Sequence, residues 1–242
     1  MKWKTSLPAA ALAVLPALPA WAQKQIVDTT PVVEEFTAFD GTGLSPTPAA
    51  GQLDSNAFAG TGMSAGDVAF GDTATTDDWA RGGSPGGVTT GGLYAWNGGP
   101  DRWLFVQPAL GDFTPGTLTV RYVNQTGRDI PTLDVSYQVL VFNDADRASA
   151  WNFSYSTDDA TYTPVPALDL TTPAAADAPA AWTPTARATR LIDLAIPDGG
   201  FFYIRFTSDL VSGLGLLSHD EIGVDKITVT FPDVIFADGF EA

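Results

Sequence analysis

Five carboxylates and three indoles set the chemistry open to this chain. Asp220, Glu221 and Asp225 crowd one short segment near the C-terminus. Ca2+ takes about 6–8 oxygen ligands at ~2.3–2.6 Å, so these acids would supply part of a shell. Asp40, Asp54 and backbone carbonyls of the N-terminal loops are the candidates to complete it. The expectation is a structural Ca2+ that ties the terminal strands of a sandwich together. No Asp-x-Asp-x-Asp-Gly loop is present. The competing reading is an acidic turn, either solvated or paired with Arg81, Arg102 or Arg205.

Trp79, Trp96 and Trp182 lie beside turn-forming residues. Exposed indoles are platforms on which sugar rings stack, because the ring is apolar across its face and polar only at one edge. These three are the candidate ligand-binding residues. Ser136, Gln138, Asn152 and Ser154 would supply a polar sheet face beneath the sugar. Trp103 and Trp151 instead belong to apolar runs and read as core.

Nucleophilic chemistry finds little support. There is no cysteine, which removes thiol nucleophiles and thiolate metal sites. His219 is the sole histidine, flanked by Ser218 and Asp220. Adjacent side chains on an extended chain point apart, so these neighbours cannot by themselves form a Ser-His-Asp relay. Paired acids for glycoside hydrolysis need ~5–9.5 Å across a cleft, a spacing that chance supplies in so acidic a chain.

These residues need a scaffold, and the patterning describes strands. Leu133, Val135, Tyr137, Val139 and Val141 alternate with Asp134, Ser136 and Gln138. Leu118, Val120 and Tyr122 alternate with Thr117, Thr119 and Arg121, and Trp151, Phe153 and Tyr155 with Asn152, Ser154 and Ser156. One apolar and one polar face per strand describes antiparallel sheets sharing a core. Strands are predicted at 34–39, 67–70, 92–96, 103–107, 117–124, 133–143, 150–157, 189–196, 201–208 and 221–231. In the last of these, Ile222 and Val224 share one parity and Ile227, Val229 and Phe231 the other. A β-bulge at Asp225-Lys226 would keep both sets facing the core. Between Gly41 and Gly99 the chain reads as long loops joining short strands, and 174–181 as a linker-like loop. The fold class is all-β: an antiparallel two-sheet β-sandwich, jelly-roll-like, of about ten strands, with terminal strands adjacent.

Lys2 and Lys4 precede an apolar run that ends at Ala20-Trp21-Ala22. This is the form of a cleaved signal peptide over residues 1–22, so the domain is expected over 23–231, exported and without a membrane span. The formal charge of −16 repels phosphates, which argues against a nucleic-acid partner.

Three segments carry a family resemblance: Phe36-Thr-Ala-Phe39 with Gly41-Thr-Gly43 and Gln52-Leu-Asp-Ser55; Trp151-Asn-Phe-Ser-Tyr-Ser-Thr-Asp158 with Tyr162; and Asp220-Glu-Ile-Gly-Val-Asp-Lys-Ile227. Together they resemble exported bacterial β-sandwich modules that stand alone or beside extracellular nuclease or lamin-tail-like domains. The resemblance implies a jelly-roll-like sandwich and no catalytic residues. Ser156 to Tyr162 also looks like a degenerate Asp-box, a folding element with an Asp in a hairpin turn and an aromatic beneath. The tail over 232–242 resembles the Ile-Phe-x-Asp-Gly-Phe-Glu ending of many exported Gram-negative proteins and reads as a sorting tag.

The expected function is a non-catalytic binding or structural module for an extracellular ligand, a glycan or a cell-surface component. The alternatives are a carbohydrate-binding module and a jelly-roll glycan hydrolase or lyase. Structural Ca2+ is the one cofactor expected.

Overall fold

The computed structural model describes residues 24–213 and 217–232. The signal-peptide segment 1–22 and the tail motif after Pro232 lie outside the described residues. Two large sheets face each other. In the first, β1 (Lys24–Ile26), β9 (Gly116–Asn124), β15 (Phe201–Leu210), β11 (Ser149–Ser156) and β12 (Thr163–Pro164) follow in that order, with β5 (Phe58–Thr61) also on β9 and β13 (Leu170–Thr171) on β11. In the second, the order is β14 (Trp182–Leu191), β10 (Leu133–Phe142), β16 (Glu221–Thr230), β8 (Leu104–Gln107), β7 (Gly92–Trp96) and β6 (Gly83–Ser84), with β2 (Val32–Glu34) also on β16. A small pair, β3 (Phe39–Ser45) and β4 (Gly51–Asp54), completes the set.

The long strands β9, β10, β11, β14, β15 and β16 alternate between the two sheets along the chain, which is the jelly-roll way of wrapping a sandwich. Most pairings are antiparallel; β1 with β9, β3 with β4 and β6 with β7 are parallel. The chain therefore forms a mixed-edge sandwich, with short strands added to the long ones that patterning indicates. Of the two N-terminal strands, the second lies beside the last: β2 pairs with β16 through Val32 to Val229 and Glu34 to Ile227, while β1 joins β9 in the other sheet. Lys24 on β1 forms an ion pair with Glu34 on β2.

Period-two alternation builds the core directly. Leu118, Val120, Tyr122, Val135, Tyr137, Val139, Phe153 and Ile204 all point inward and are buried. Aromatics dominate the centre. Phe206 stacks on Trp151 at 5.3 Å between centroids and meets Tyr137 edge-on at 5.0 Å. Such pairs add about 0.5–1.5 kcal/mol each beyond the area they bury.

The bulge falls where the parity break places it. Gln138 faces Asp225 and Ser136 faces Thr228, so Lys226 and Ile227 share the space opposite Tyr137. Lys226 adopts a left-handed φ of 51° to absorb the extra residue. Ile222, Val224, Ile227 and Val229 are all buried as a result.

Three expected strands differ. Residues 34–39 hold the end of β2 and then a turn, with Phe36 at φ 53° and its carbonyl accepting from Phe39 N at 2.9 Å. Residues 67–70 make one bridge, Val68 to Gly60. The strand expected over 189–196 instead runs from Trp182 to Leu191, because β10 offers a partner along that whole length and outweighs the weak β-propensity of Pro184 and Ala186. The segment 41–99 is more ordered than its Gly content suggests, and it sends Leu44, Leu53, Phe58, Trp79 and Leu93 into the core.

The bulge yields a test by chemical denaturation. Lys226→Gly should leave stability unchanged or raise it by up to about 1 kcal/mol, since glycine adopts positive φ without strain. Lys226→Val should lower it by ~1–2 kcal/mol. Deleting Lys226 should preserve cooperative unfolding, because it removes the extra residue and leaves a regular strand in which Ile222, Val224, Ile227 and Val229 all keep facing the core. Loss of cooperative unfolding in the deletion variant would refute this account.

Candidate functional site

The outer face of the first sheet carries the most developed site. On β5, β9 and β15, alternate residues point away from the core: Ala59 and Thr61, Thr117 and Thr119, Arg121, Tyr203 and Arg205. Two flanking segments rise beside them. Gly60 and Val68 exchange backbone hydrogen bonds at 2.9 and 2.8 Å, which fixes the Asp67–Phe70 segment along β5. The hairpin between β11 and β12 brings Asp159 and Tyr162 over β15. Between them lies a groove of about 250 Å3, lined by Thr61, Asp67, Phe70, Thr117, Asp159 and Arg205 among others. Crossing three strands, it spans ~10 Å.

Arg205 is held on three sides. Its Nε donates to Thr119 Oγ1 at 3.1 Å and its Nη2 to Asp159 Oδ1 at 3.3 Å. Its guanidinium lies 3.5 Å from the centroid of the Tyr162 ring. The Tyr162 hydroxyl donates to the same Asp159 carboxylate. Burial, reinforced by that hydrogen bond, keeps the Tyr162 phenol protonated far above neutral pH. Thr61 and Thr117 share a hydrogen bond of 2.8 Å. Further along, Arg121 sits between Phe70 and Phe201, 4.3 and 4.9 Å from their centroids, and donates to the Asn56 carbonyl.

The hairpin is preset by Asp158. Its Oδ1 accepts from Thr161 N at 2.8 Å, Ala160 N at 2.9 Å and Ser156 Oγ at 2.8 Å. These bonds stabilise the carboxylate and pull its pKa down to about 2. An aspartate holding a hairpin turn is what the resemblance to a degenerate Asp-box implies, and the turn aims Asp159 and Tyr162 at Arg205.

The indoles are placed otherwise. Trp79 is 2 % exposed and is a core residue rather than a platform. Its Nε1 donates to the Gly66 carbonyl at 2.8 Å, and its ring lies against Gly60, where a Cβ would come within 2.4 Å of it. Trp96 and Trp182 are half-buried on the outer face of the second sheet. Trp96 stacks on Trp103 at 3.7 Å, with Gly98 and Gly99 close against its edge. Trp182 packs on Phe105 and Phe142, and its Nε1 donates to the Pro85 carbonyl at 2.8 Å. These rings serve mainly one another, in a satellite cluster with Tyr94 and Leu140. Ser136 and Gln138 lie on the second sheet and Asn152 and Ser154 on the first, so the expected single polar face is divided between opposite sides of the sandwich.

The five expected metal ligands do not converge. Asp40 and Asp54 cap local turns, accepting from Thr42 N and Asn56 N. Asp225 lies four residues along β16 from Glu221, with its carboxylate 3.4 Å from Lys226 Nζ. Asp220 accepts from Ala145 N at 3.0 Å and Glu221 from Val88 N at 2.8 Å, and both are fully buried. Among the described residues no group of three or more Asp, Glu or His is arranged to hold a metal ion. His219 lies in the loop before β16, as expected, but is buried there.

Asp144, which the sequence reading passed over, is the neighbour that matters to Glu221. Burial first, and then the Asp144 carboxylate, push the Glu221 acid up to about 8. Burial likewise raises Asp144 and Asp220. Arg205, Asp159, Phe70 and Thr119 were also missed as site residues. The signal that marks them is their outward parity beside inward-facing core positions, together with the Asp-box turn.

Among the described residues no helix is long and apolar enough to cross a membrane. The sequence matches no family model and no curated protein. Similar solved structures include a cleaved adhesin domain of Lys-gingipain from Porphyromonas gingivalis, at 14 % identity and a TM-score of 0.41, covering 84 % of this chain and 99 % of that one. The CBM22 and GH10 modules of a Clostridium thermocellum endo-1,4-β-D-xylanase, complexed with xylohexaose, are similar at 11 % identity and a TM-score of 0.36, covering 83 % of this chain and 28 % of that one. TmCBM61 in complex with β-1,4-galactotriose is similar at 8 % identity and a TM-score of 0.35, covering 60 % of this chain and 88 % of that one. At these scores none assigns a ligand to this chain.

Glu221 sets a pH dependence. An acid whose pKa rises on folding contributes stability that is full below its unfolded value, near 4.5, and is lost as pH rises through about 8. Glu221→Gln should remove this loss. The difference in unfolding free energy between wild type and variant should shift in favour of the variant from about pH 5 to about pH 9, on the order of 4 kcal/mol. A difference that stays constant over that range would show that Glu221 is ionised throughout.

Proposed function

We propose that this chain is an exported, non-catalytic glycan-binding module that holds a saccharide segment in the groove over β5, β9 and β15. One observation carries the reading. A single open groove combines the Phe70 ring, an Arg205 guanidinium fixed by Asp159, Thr119 and Tyr162, and the hydroxyls of Thr61 and Thr117. Sugars present just this pairing: apolar C–H faces that pack on rings, and hydroxyls that both donate and accept.

The physical logic is preorganisation. Arg205 is locked before any ligand arrives, so binding costs little rotamer entropy at that residue. Asp159 and Arg205 together offer an acceptor and a donor, a suitable match for neighbouring hydroxyls on one ring. The groove is smaller than the ~300–1,000 Å3 of enclosed small-molecule pockets, and its floor is sheet rather than cavity. That geometry suits part of a longer chain lying across the strands.

Affinity electrophoresis through gels containing soluble polysaccharides tests the proposal. Wild type should be retarded by at least one polymer, and the polymer should emerge with its chain length unchanged. Arg205→Ala and Phe70→Ala should each weaken binding about tenfold or more. Asp158→Ala should weaken it too, through the hairpin, while Trp96→Ala should not. Full binding by the Arg205 and Phe70 variants, with their folds intact, would place the ligand elsewhere. Depolymerisation of the retaining polysaccharide would overturn the non-catalytic part.

A further inference from the structure

We infer that the groove selects uncharged polysaccharide and rejects uronate, sulfated or phosphorylated chains. This rests on the glycan-binding reading above and narrows its ligand class. Arg205 is the cation among the residues lining the groove, and Asp159 already accepts from it at 3.3 Å. Its planar face is taken up by Tyr162, and its Nε by Thr119. An incoming carboxylate or sulfate would have to displace Asp159 to reach it. It would then stand as a second anion beside the Asp159 carboxylate, which would keep the Tyr162 hydroxyl as its partner, and two like charges that close together are unfavourable.

The rest of the surroundings point the same way. Asp67 stands on the opposite rim, and its carboxylate accepts from Gly62 N at 2.9 Å. Asp158, in the hairpin beside Asp159, stays ionised down to about pH 2. Arg121, the nearest further guanidinium, is enclosed between Phe70 and Phe201 and spends two donors on the Asn56 carbonyl. Two lining carboxylates against one paired guanidinium make the groove negative, inside a chain of net charge −16. An anionic polymer is repelled at long range and finds no free cation among the lining residues at short range. Neutral hydroxyls suffer neither penalty. The groove's carboxylates become useful acceptors for them, and the threonines supply both donors and acceptors.

The same geometry makes a gain-of-function variant available. Asp159→Asn keeps the side-chain shape but removes the charge that neutralises Arg205. It should lose about tenfold in affinity for the neutral polymer, because a charge-assisted acceptor is lost. It should also gain weak, salt-sensitive retardation by an anionic polymer.

The experiment is affinity electrophoresis of wild type and Asp159→Asn against two sets of gels. One set holds β-glucan, arabinoxylan, galactomannan and galactan; the other holds polygalacturonate, alginate and heparin, each at low and at ~0.5 M salt, where charge effects are screened. Thermal unfolding of both proteins confirms that each is folded. The expected result is retardation of wild type by a neutral polymer only, unaffected by salt, with the variant weakened there and newly retarded by an anionic polymer at low salt. Wild-type retardation by an anionic polymer that salt abolishes would overturn the selectivity and leave glycan binding standing. No retardation in any gel would overturn both readings. A folded Asp159→Asn protein with wild-type behaviour in every gel would show that the pair does not set the selectivity.

Discussion

The sandwich depends on one constraint: β16 must show apolar residues to the core along both halves although its sequence changes parity midway. That strand lies between β10 and β8 and also carries β2, so it ties the N-terminal segment to the centre of the second sheet. A regular β16 would bury either Ile222 and Val224 or Ile227 and Val229, never all four. The left-handed Lys226 resolves the conflict at a cost of about 1–2 kcal/mol, less than the gain from burying even one such side chain, at ~1.5–3 kcal/mol. The bulge is therefore a requirement of the fold rather than a local irregularity.

With the core secured, the two outer faces take different roles. The second sheet covers its outer face with its own rings: Trp96, Trp103, Trp182, Phe105 and Tyr94 pack together, and the 85–88 loop is bound down by Trp182 and Glu221. That covering explains why Glu221 is buried although its parity points outward. It also explains the raised acid, since a loop that excludes water around a carboxylate disfavours its charged form. The first sheet keeps its outer face open and polar, which leaves room for a ligand there.

Much of this was legible in the residues, and the exceptions have physical causes. The strands at Gly116, Leu133 and Ser149 follow from alternation, and the bulge from its interruption. The short strands were invisible because two or three residues carry no periodicity; β6 and β12 exist only through their neighbours. Phe201-Phe-Tyr-Ile204 is apolar without a break, so nothing in the string reveals that Tyr203 faces outward and Phe202 inward. The indoles misled for a related reason. Proximity to a turn suggests exposure, but Gly60 removes the atom that would have kept Trp79 out of the core, and Gly98 and Gly99 let the chain close against Trp96. Composition cannot report contacts made by a missing side chain.

The hairpin over 156–162 shows how a local turn can shape a groove through a residue that does not line it. Asp158 satisfies two backbone N–H groups and a hydroxyl that a tight turn would otherwise leave to water. This allows Asp159 to hold φ 57°, a conformation that aspartate tolerates better than most residues. From there its carboxylate reaches both the Tyr162 hydroxyl and Arg205 on the neighbouring β15. Removing the Asp158 carboxylate would not delete a groove residue, yet it would release the acceptor that orients Arg205 and the ring that backs it. Local hydrogen bonding in the hairpin, rather than the sheet itself, therefore sets the geometry on the open face. The sheet supplies a flat floor with correct spacing; the hairpin decides what that floor presents.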